Sequence, residues 1–319
     1  MTKPLLTAVR QHPVAHPGDR VLFNWQKTAW LYLFLFPSIA FTWEAASWTL
    51  SLASALLTFF IVGIGHSVGL HRGIIHRSYQ CSRAFRNLTA YLFVLTGLGS
   101  PLSWLKLHYI RDYWQNRKDT PRYFQYHHSL WKDYWWYLHV SYLPGNLERY
   151  AIPADDLEDP WLIWLDKTWY LHVLGACGLV WLLFGWQALV VTMALRISLT
   201  MLGHWFVGFV THTYGYSQYS IAQADVSGKN TWFLGLISFG EGFHNNHHAH
   251  PSSARFGLKW YEIDFSWYMI RLFQNLGLVW AVQEAGKDQT LKQRATPHLT
   301  RWSWPWQESD KQRPVRKQC

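Results

Sequence analysis

Two apolar stretches, WYLHVLGACGLVWLLFG at residues 169–185 and WQALVVTMALRISLTMLGHWFVGFVTH at residues 186–212, decide the fold class of this chain. A helix needs about 20 apolar residues, and at least about 17, to cross the hydrocarbon core of a bilayer. Each stretch meets that length, and the junction between them carries no Lys or Arg. They therefore predict a helical hairpin that crosses a membrane twice.

A second hairpin is predicted nearer the N-terminus, from apolar runs at residues 28–41 and 48–70. The first run is short and contains Pro37, so we expect it to tilt, to kink or to extend toward Trp43. A further run at residues 88–102 is too short and too rich in glycine for a span, and we place it at the interface or inside the protein. These runs predict four membrane-spanning helices.

The distribution of Lys and Arg predicts the orientation. The connections at residues 43–47 and 185–186 contain neither, whereas the N-terminal segment, the long middle segment and the C-terminal third are basic. Because basic segments remain in the cytoplasm, we expect a protein of the cell inner membrane with both termini and the middle segment cytoplasmic. We divide it into a cytoplasmic N-terminal segment at 1–27, a membrane and cap domain at 28–284, and a basic, loosely ordered tail at 285–319.

Composition supports a membrane location and excludes several classes of protein. The 319 residues include 22 Trp, which suits a protein at a membrane interface, and the net charge is +10. The basic residues flank apolar segments, so they indicate contact with membrane lipids and no nucleic acid. Three widely spaced cysteines exclude a disulfide framework and a cysteine metal site: Cys81, Cys177 and Cys319.

The 17 histidines carry the clearest chemical signal. His244, His247 and His248 follow i, i+3, i+4 spacing, so on a helix they share one face. Such packed rings repel when charged, which favours a metal site over a solvated polar helix, and imidazole ligands suit iron, zinc, copper or nickel. His71 and His76 are five residues apart and diverge on a straight α-helix, so they need a helix end or two different metals.

Two longer motifs resemble the histidine boxes of the membrane fatty-acid (acyl-CoA) desaturase family. HRGIIHRSY at residues 71–79 resembles the first box, and GEGFHNNHHAHP at residues 240–251 resembles the third. The resemblance covers roughly residues 56–276. Further matches are SARFG at residues 253–257, Asp264 and Arg196.

The resemblance implies an all-α integral membrane fold, in which a cytoplasmic helical cap over four transmembrane helices carries a histidine-rich di-metal site. It implies an oxidoreductase of fatty acid biosynthesis that uses two irons and O₂ to introduce a double bond into a long-chain acyl-CoA or acyl-lipid. Electrons would come from a separate donor, such as a ferredoxin or small cytochrome. Trp104 would line the substrate site, and the implied metal ligands are His71, His76, His108, His212, His244, His247 and His248.

The second histidine box departs from the family pattern. The family has His-x-x-His-His, whereas residues 108–112 are His-Tyr-Ile-Arg-Asp. Arg111 has no acceptor for a metal, but Asp112 could ligate one through its carboxylate; alternatively, the two residues form a structural ion pair. Gly208 stands where the family has an asparagine, so we expect a water-mediated ligand to be lost.

Three further polar residues are expected near the centre. His66 and His204, which the family lacks, lie close to implied ligands along the chain and could occupy vacated coordination positions. The alternative is that each is a hydrogen-bonded residue of a buried helix, which we favour for His66 and leave open for His204. Glu241, three residues before His244, is expected to orient a ligand imidazole.

The departure in the second box leaves other functions open at this stage. A hydroxylase, an acetylenase or another C–H functionalising enzyme could use the same scaffold. A non-catalytic membrane protein that binds a lipid or a partner is the alternative from a different class, and a single structural zinc would suit it. The retained first and third boxes favour the desaturase.

Overall fold

A computed structural model describes residues 13–115, 117–221, 224–285 and 295–303, and these form a predominantly α-helical protein. The helical fold class predicted from the sequence is therefore confirmed. The α-helices are α1 (Trp25–Ala45), α2 (Trp48–Thr58), α3 (Arg83–Val94), α4 (Pro101–Gln115), α5 (Leu130–His139), α6 (Ala154–Leu157), α7 (Pro160–Ala188), α8 (Arg196–Thr213), α9 (Trp232–Ile237), α10 (His244–Ala249) and α11 (Phe265–Asn275).

Two π-helical segments extend the apolar helices. Phe59–Ile75 continues directly from α2, and Leu189–Leu195 joins α7 to α8. Two short 3₁₀ turns occur at Arg122–Phe124 and Glu148–Tyr150. A π-helix hydrogen-bonds residue i to residue i+5, so its turns are wider than those of an α-helix and residues five apart come close together.

The strands are short and form three two-stranded antiparallel sheets within the described residues. β1 (Arg20–Phe23) pairs with β3 (Val140–Leu143), and β2 (Gln80–Cys81) pairs with β5 (Val279–Trp280). β4 (Gly215–Ile221) pairs with β6 (Ala295–Ser303), which places a strand within the segment expected to be a loosely ordered tail. Residues 286–294 and 304–319 of that tail, and the first 12 residues of the N-terminal segment, lie outside the described part.

Within the described part of the chain, two helical runs are long and apolar enough to cross a membrane: Trp48–Ile75, with 28 residues, and Pro160–Thr213, with 54 residues. The longer run is two helices, because Gly185 has non-helical φ and ψ of 82° and 179°. Glycine adopts this positive φ without a steric penalty. The break lies at the predicted junction of the C-terminal hairpin.

The N-terminal apolar run forms the 21-residue helix α1 but is not among the runs that meet the criterion for a span. Asn24 caps its first turn by accepting a hydrogen bond from the Lys27 N–H, which satisfies one of the unpaired donors at a helix start. Pro37 is accommodated inside the helix. Leu31 and Phe34 pack into the main hydrophobic core, to which α3, α4, α5, α7, α8 and both π-helical segments also contribute.

Candidate metal centre

Seven histidines converge into two groups of potential metal ligands. Within each group, one ligand atom from every residue lies within 4.8 Å of the others. The four-histidine group consists of His71, His76, His108 and His247, and the three-histidine group consists of His212, His244 and His248. These are the seven residues that the resemblance implied as ligands, and among the described residues no further group of this kind occurs.

The π-helical segment explains how His71 and His76 join one group. The His76 N–H donates to the His71 carbonyl over 3.0 Å, an i to i+5 hydrogen bond. The ring centroids of the two residues are 4.8 Å apart, so the wider π turn brings them onto one face. The two rings therefore fall in one group, and His76 directly follows the last residue of the π-helical segment, in agreement with the helix end that their spacing requires.

The short helix α10 distributes its histidines between the groups. His244 and His248 face His212 of α8, with ring centroids 4.7 and 5.6 Å from it. His247 points to the first-box side, 4.6 Å from the ring of His76. Positions i and i+4 of this helix therefore serve one group, and position i+3 serves the other.

Buried amides and carboxylates hold α10 in place. Asn245 accepts two hydrogen bonds from the backbone of β4, at Gln218 and Tyr219. Asn246 donates to the Glu262 carboxylate over 3.0 Å and to the Phe256 carbonyl over 2.7 Å. The two asparagines of the third box thus fix the helix on which three candidate ligands lie.

Close oxygen contacts at Nδ1 leave Nε2 available in two of the candidate ligands. Glu241 Oε2 lies 2.7 Å from His71 Nδ1, and the Gly208 carbonyl oxygen lies 2.7 Å from His212 Nδ1. Such outer contacts orient ligand imidazoles in metal sites. Glu241 is itself held by a short hydrogen bond from the Ser67 hydroxyl and lies 3.8 Å from Arg72.

The chemistry of this donor set fits metal ions. The Nε2 atoms of His71, His212 and His244 are buried without a hydrogen-bond partner, which costs free energy unless a ligand satisfies them. Burial and the neighbouring histidines lower the pKa of His244 and of His247 well below the ordinary range. Neutral imidazoles are the form that binds a metal ion.

Asp112 and Arg111 both contact His108. Asp112 Oδ2 lies 3.1 Å from His108 Nε2, and an Arg111 guanidinium nitrogen lies 2.8 Å from His108 Nδ1. Arg111 and Asp112 also approach each other, at 3.8 Å. Burial opposes ionisation of Asp112, but the charges of His108 and Arg111 outweigh it and lower the pKa of the carboxyl. Asp112 therefore brings negative charge to the edge of the four-histidine group.

His204 lies outside both groups. Its ring contacts His66 at a centroid distance of 4.9 Å and Trp104 at 4.7 Å. His204 and His66 both line a 450 Å³ cavity whose other walls are largely apolar. Trp104, which the resemblance implies for the substrate site, lines a neighbouring cavity of 670 Å³.

Two residues near the centre were not identified from the sequence. The Tyr126 ring stacks on the His212 ring with a centroid distance of 4.1 Å and an interplanar angle of 10°. Its hydroxyl lies 4.0 Å from the position that a Cβ atom on residue 208 would occupy. Gln115 is fully buried, and its side-chain amide lies against the Tyr126 hydroxyl. Its i+7 spacing from His108 on α4 was a usable signal, because residues seven apart share a helix face.

Comparisons with known proteins agree with this geometry. The family model described as fatty acid desaturase matches residues 45–281. The sn-1 stearoyl-lipid 9-desaturase of Anabaena variabilis is 32% identical over 83% of this chain and 96% of its own length. Delta-9 acyl-lipid desaturase 2 of Arabidopsis thaliana is 31% identical over 75% and 74%, and acyl-CoA C20 Delta5-desaturase of Anemone leveillei is 29% identical over 77% and 76%.

Proposed function

The chain belongs to the fatty acid desaturase family and is an oxidoreductase that introduces a double bond into an acyl substrate, and from this premise we propose a two-iron enzyme of the cell inner membrane. The seven histidines of the two groups would hold the irons on the cytoplasmic side. The two histidine groups carry the proposal, because packing seven neutral imidazoles together without a metal would leave several buried nitrogens unsatisfied.

Four membrane crossings are proposed from the helices and the charges together. α1 and the run 48–75 form one hairpin, and the two halves of the run 160–213, divided at Gly185, form the other. Large apolar side chains are exposed at both hairpin tips, where Trp43 and Trp48 are 95% and 92% exposed and Phe184 is 70% exposed. A surface of this kind is stable in contact with lipid.

The two groups would each hold one iron. When bound, the irons supply the activation of O₂ that removal of hydrogen from an unactivated carbon requires. The protein contributes the ligands and the contacts that orient them: Glu241 at His71, the Gly208 carbonyl at His212, and Asp112 at His108. We propose that Asp112 acts from beside the four-histidine group, where its charge offsets that of a bound cation.

The substrate path is proposed to follow the two cavities past Trp104. The 670 Å³ cavity contains Arg20, Lys27 and Lys106, whereas the 450 Å³ cavity is mainly apolar. Leu98 lines both. An acyl chain could therefore lie with its polar head at the basic end of the larger cavity and its tail in the apolar cavity. It would pass Trp104 between the two, and the Trp104 ring lies 6.2 Å from that of His108.

The names of the relatives and the charge of the larger cavity indicate the kind of head group that the substrate carries. The relatives act, by name, on acyl-lipids and on acyl-CoA. The phosphates of an acyl-CoA, or of an acyl-lipid that is a phospholipid, would suit the basic end of the larger cavity. Electrons would come from a separate ferredoxin or small cytochrome at the cytoplasmic surface.

Product analysis tests the function directly. The chain would be expressed in cells that lack other desaturases, and their total fatty acids would be compared by mass spectrometry with those of cells that carry His247→Ala. We expect a new acyl species lighter by two hydrogens only with the unmodified chain. A species heavier by one oxygen would indicate a hydroxylase instead, and no new species from well-folded, iron-loaded protein would count against the proposal.

A further inference from the structure

Two histidines of the substrate cavity take no part in the proposed metal centre. His66 lies on the π-helical segment five residues before His71, and His204 lies on α8. Their rings meet edge to face at 4.9 Å, and the Trp104 ring lies 5.1 Å from His66 and 4.7 Å from His204. The three rings form one wall where the two cavities approach each other.

The remaining polar residues of this cavity differ from the histidine pair, because several are satisfied by the main chain. Ser54 donates to the Val191 carbonyl, Thr58 to the Ser54 carbonyl and Thr200 to the Arg196 carbonyl. His66 is only 3% exposed, and its Nε2 is buried with no hydrogen-bond partner. A buried polar atom without a hydrogen-bond partner costs free energy, and a purely apolar occupant would leave it unsatisfied.

Arg196 is the other lining residue with an unpartnered nitrogen, Nη1. It donates to the Thr192 and Leu95 carbonyls and lies about two helical turns before His204. Its free donor is therefore remote from the histidine pair.

Glu241 also lines this cavity, but one of its carboxylate oxygens accepts from the Ser67 hydroxyl and the other lies 2.7 Å from His71 Nδ1. The histidine pair is therefore the polar feature beside the metal centre that is left for a substrate.

The histidine pair also lies close to the four-histidine group. The His66 ring centroid lies 6.0 Å from that of His71, and Trp104 lies between the pair and His108. A chain atom that touches His66 or His204 would therefore lie close to the carbon on which the enzyme acts. Substituents of the chain at that point would be recognised.

We propose that the cavity accepts an acyl chain that carries a hydroxyl group near the reacting carbon, and that His66 and His204 bind this hydroxyl. A neutral imidazole offers one donor and one acceptor, and a hydroxyl also offers both, so the pair and the group are complementary. A hydrocarbon chain could not satisfy His66 Nε2. The inference rests on the proposed function, because it assumes that an acyl chain occupies this cavity.

Binding measurements on purified protein test the inference without any need for turnover. Iron-loaded protein in lipid nanodiscs would be titrated calorimetrically with stearic acid and with monohydroxystearic acids that differ in hydroxyl position. The shared carboxylate and chain length cancel in the comparison. We expect the best hydroxy acid to bind about tenfold more tightly than stearic acid, the effect of one or two net hydrogen bonds.

Variants assign the preference to the pair. His66→Phe and His204→Phe should each reduce the preference for the hydroxy acid to about threefold or less while leaving stearic acid affinity unchanged or improved. His172→Phe is the matched control, because His172 lies in α7 outside the cavity, with Nε2 3.1 Å from the Thr168 hydroxyl. It should keep the full preference.

The outcomes separate this inference from the function on which it rests. Equal affinity of the unmodified protein for stearic acid and every hydroxy acid would overturn the inference and leave the desaturase proposal intact. A preference that survives both histidine substitutions would also overturn it. Failure of folded, iron-loaded protein to bind any of these acids would count against the inference and the proposed acyl-chain path together.

Discussion

The two histidine groups are supported by different chemistry. In the four-histidine group, the Glu241 carboxylate lies 2.7 Å from His71 Nδ1 and the Asp112 carboxylate lies 3.1 Å from His108 Nε2. In the three-histidine group, the contact at His212 Nδ1 is a neutral main-chain carbonyl. One group thus has two acidic neighbours, and the other is supported by a backbone oxygen and by the stacked ring of Tyr126.

This difference predicts that the two groups bind a metal cation with different strength. Carboxylates that contact ligand imidazoles make them more basic and offset the charge of the metal. Arg111 lies 2.8 Å from His108 and, after burial and the neighbouring histidines, contributes to lowering the pKa of both His76 and His244, so its charge acts on both groups and does not distinguish them. We therefore expect the four-histidine group to hold its iron more tightly than the three-histidine group.

The largest effects should come from the ligands themselves. His247→Ala should remove the iron of the four-histidine group, and His244→Ala the iron of the three-histidine group, each with loss of product. Elemental mass spectrometry of the purified variants measures this, and His172→Ala is the control outside both groups. If neither substitution lowers iron content, the assignment of these groups as iron sites is wrong.

Glu241→Gln should lower the affinity of the four-histidine group for iron by roughly 10- to 100-fold, the usual cost of losing an outer carboxylate contact. The measurement is iron retention during dialysis against a graded series of chelator concentrations. Glu44→Gln, at an exposed position near the end of α1, is the matched control and should behave like the unmodified protein. If Glu241→Gln retains iron as well as the unmodified protein does, the proposed role of this carboxylate is wrong.

Lowering the pH should destabilise the metal-free protein. Burial, and after it the neighbouring His108, lowers the pKa of His76 from 6.5 to about 3. Burial lowers the pKa of His248 from 6.5 to about 4. Between these values and pH 6.5 the unfolded chain binds more protons than the folded chain, so the free energy of unfolding rises with pH across that window. Each such histidine contributes up to about 1.4 kcal/mol per pH unit.

Thermal unfolding in detergent, followed from pH 7 to pH 4 after removal of metal, checks this dependence. We expect the unfolding temperature to fall steadily as the pH decreases below 6.5. A His76→Gln variant should show a shallower fall, because it lacks one of these groups. A constant unfolding temperature over the window would contradict the burial of neutral histidines in both groups.

Asp112→Asn should have the smallest effect, because its side chain is 27% exposed and solvent screens the lost charge. We expect about a threefold loss of iron affinity, confined to the four-histidine group. Asp119→Asn, on the same surface cavity, is the control. Complete loss of one iron in Asp112→Asn would instead identify Asp112 as a direct ligand.

Much of the site followed from the sequence because α-helical spacing is strongly informative. His244, His247 and His248 do lie on a helix, as i, i+3, i+4 spacing predicts, and the desaturase family assigned from the motifs is confirmed. The same rule predicts that His71 and His76 diverge on a straight α-helix and need a helix end or two metals, and the structure has a π-helical segment that ends at Ile75, directly before His76. Nothing in the local sequence distinguishes a π-helical segment, whose stability depends on packing against α3.

Long-range contacts could not be predicted from one chain. The i+3 spacing between Glu241 and His244 suggested that this carboxylate serves an imidazole, but its partner is His71, 170 residues away along the sequence. His204 lies near implied ligands in sequence, yet its ring faces His66 and Trp104 in the cavity. These pairings arise from how the helices pack, which spacing within one helix does not determine.

The iron content of the purified, iron-supplied protein tests the central claim most directly. Elemental mass spectrometry, normalised to protein by amino-acid analysis, should give two irons per chain. Under increasing chelator, one iron should leave before the other, and the one that remains should be lost in His247→Ala. Folded protein that contains no iron, or a single zinc in its place, would contradict the account.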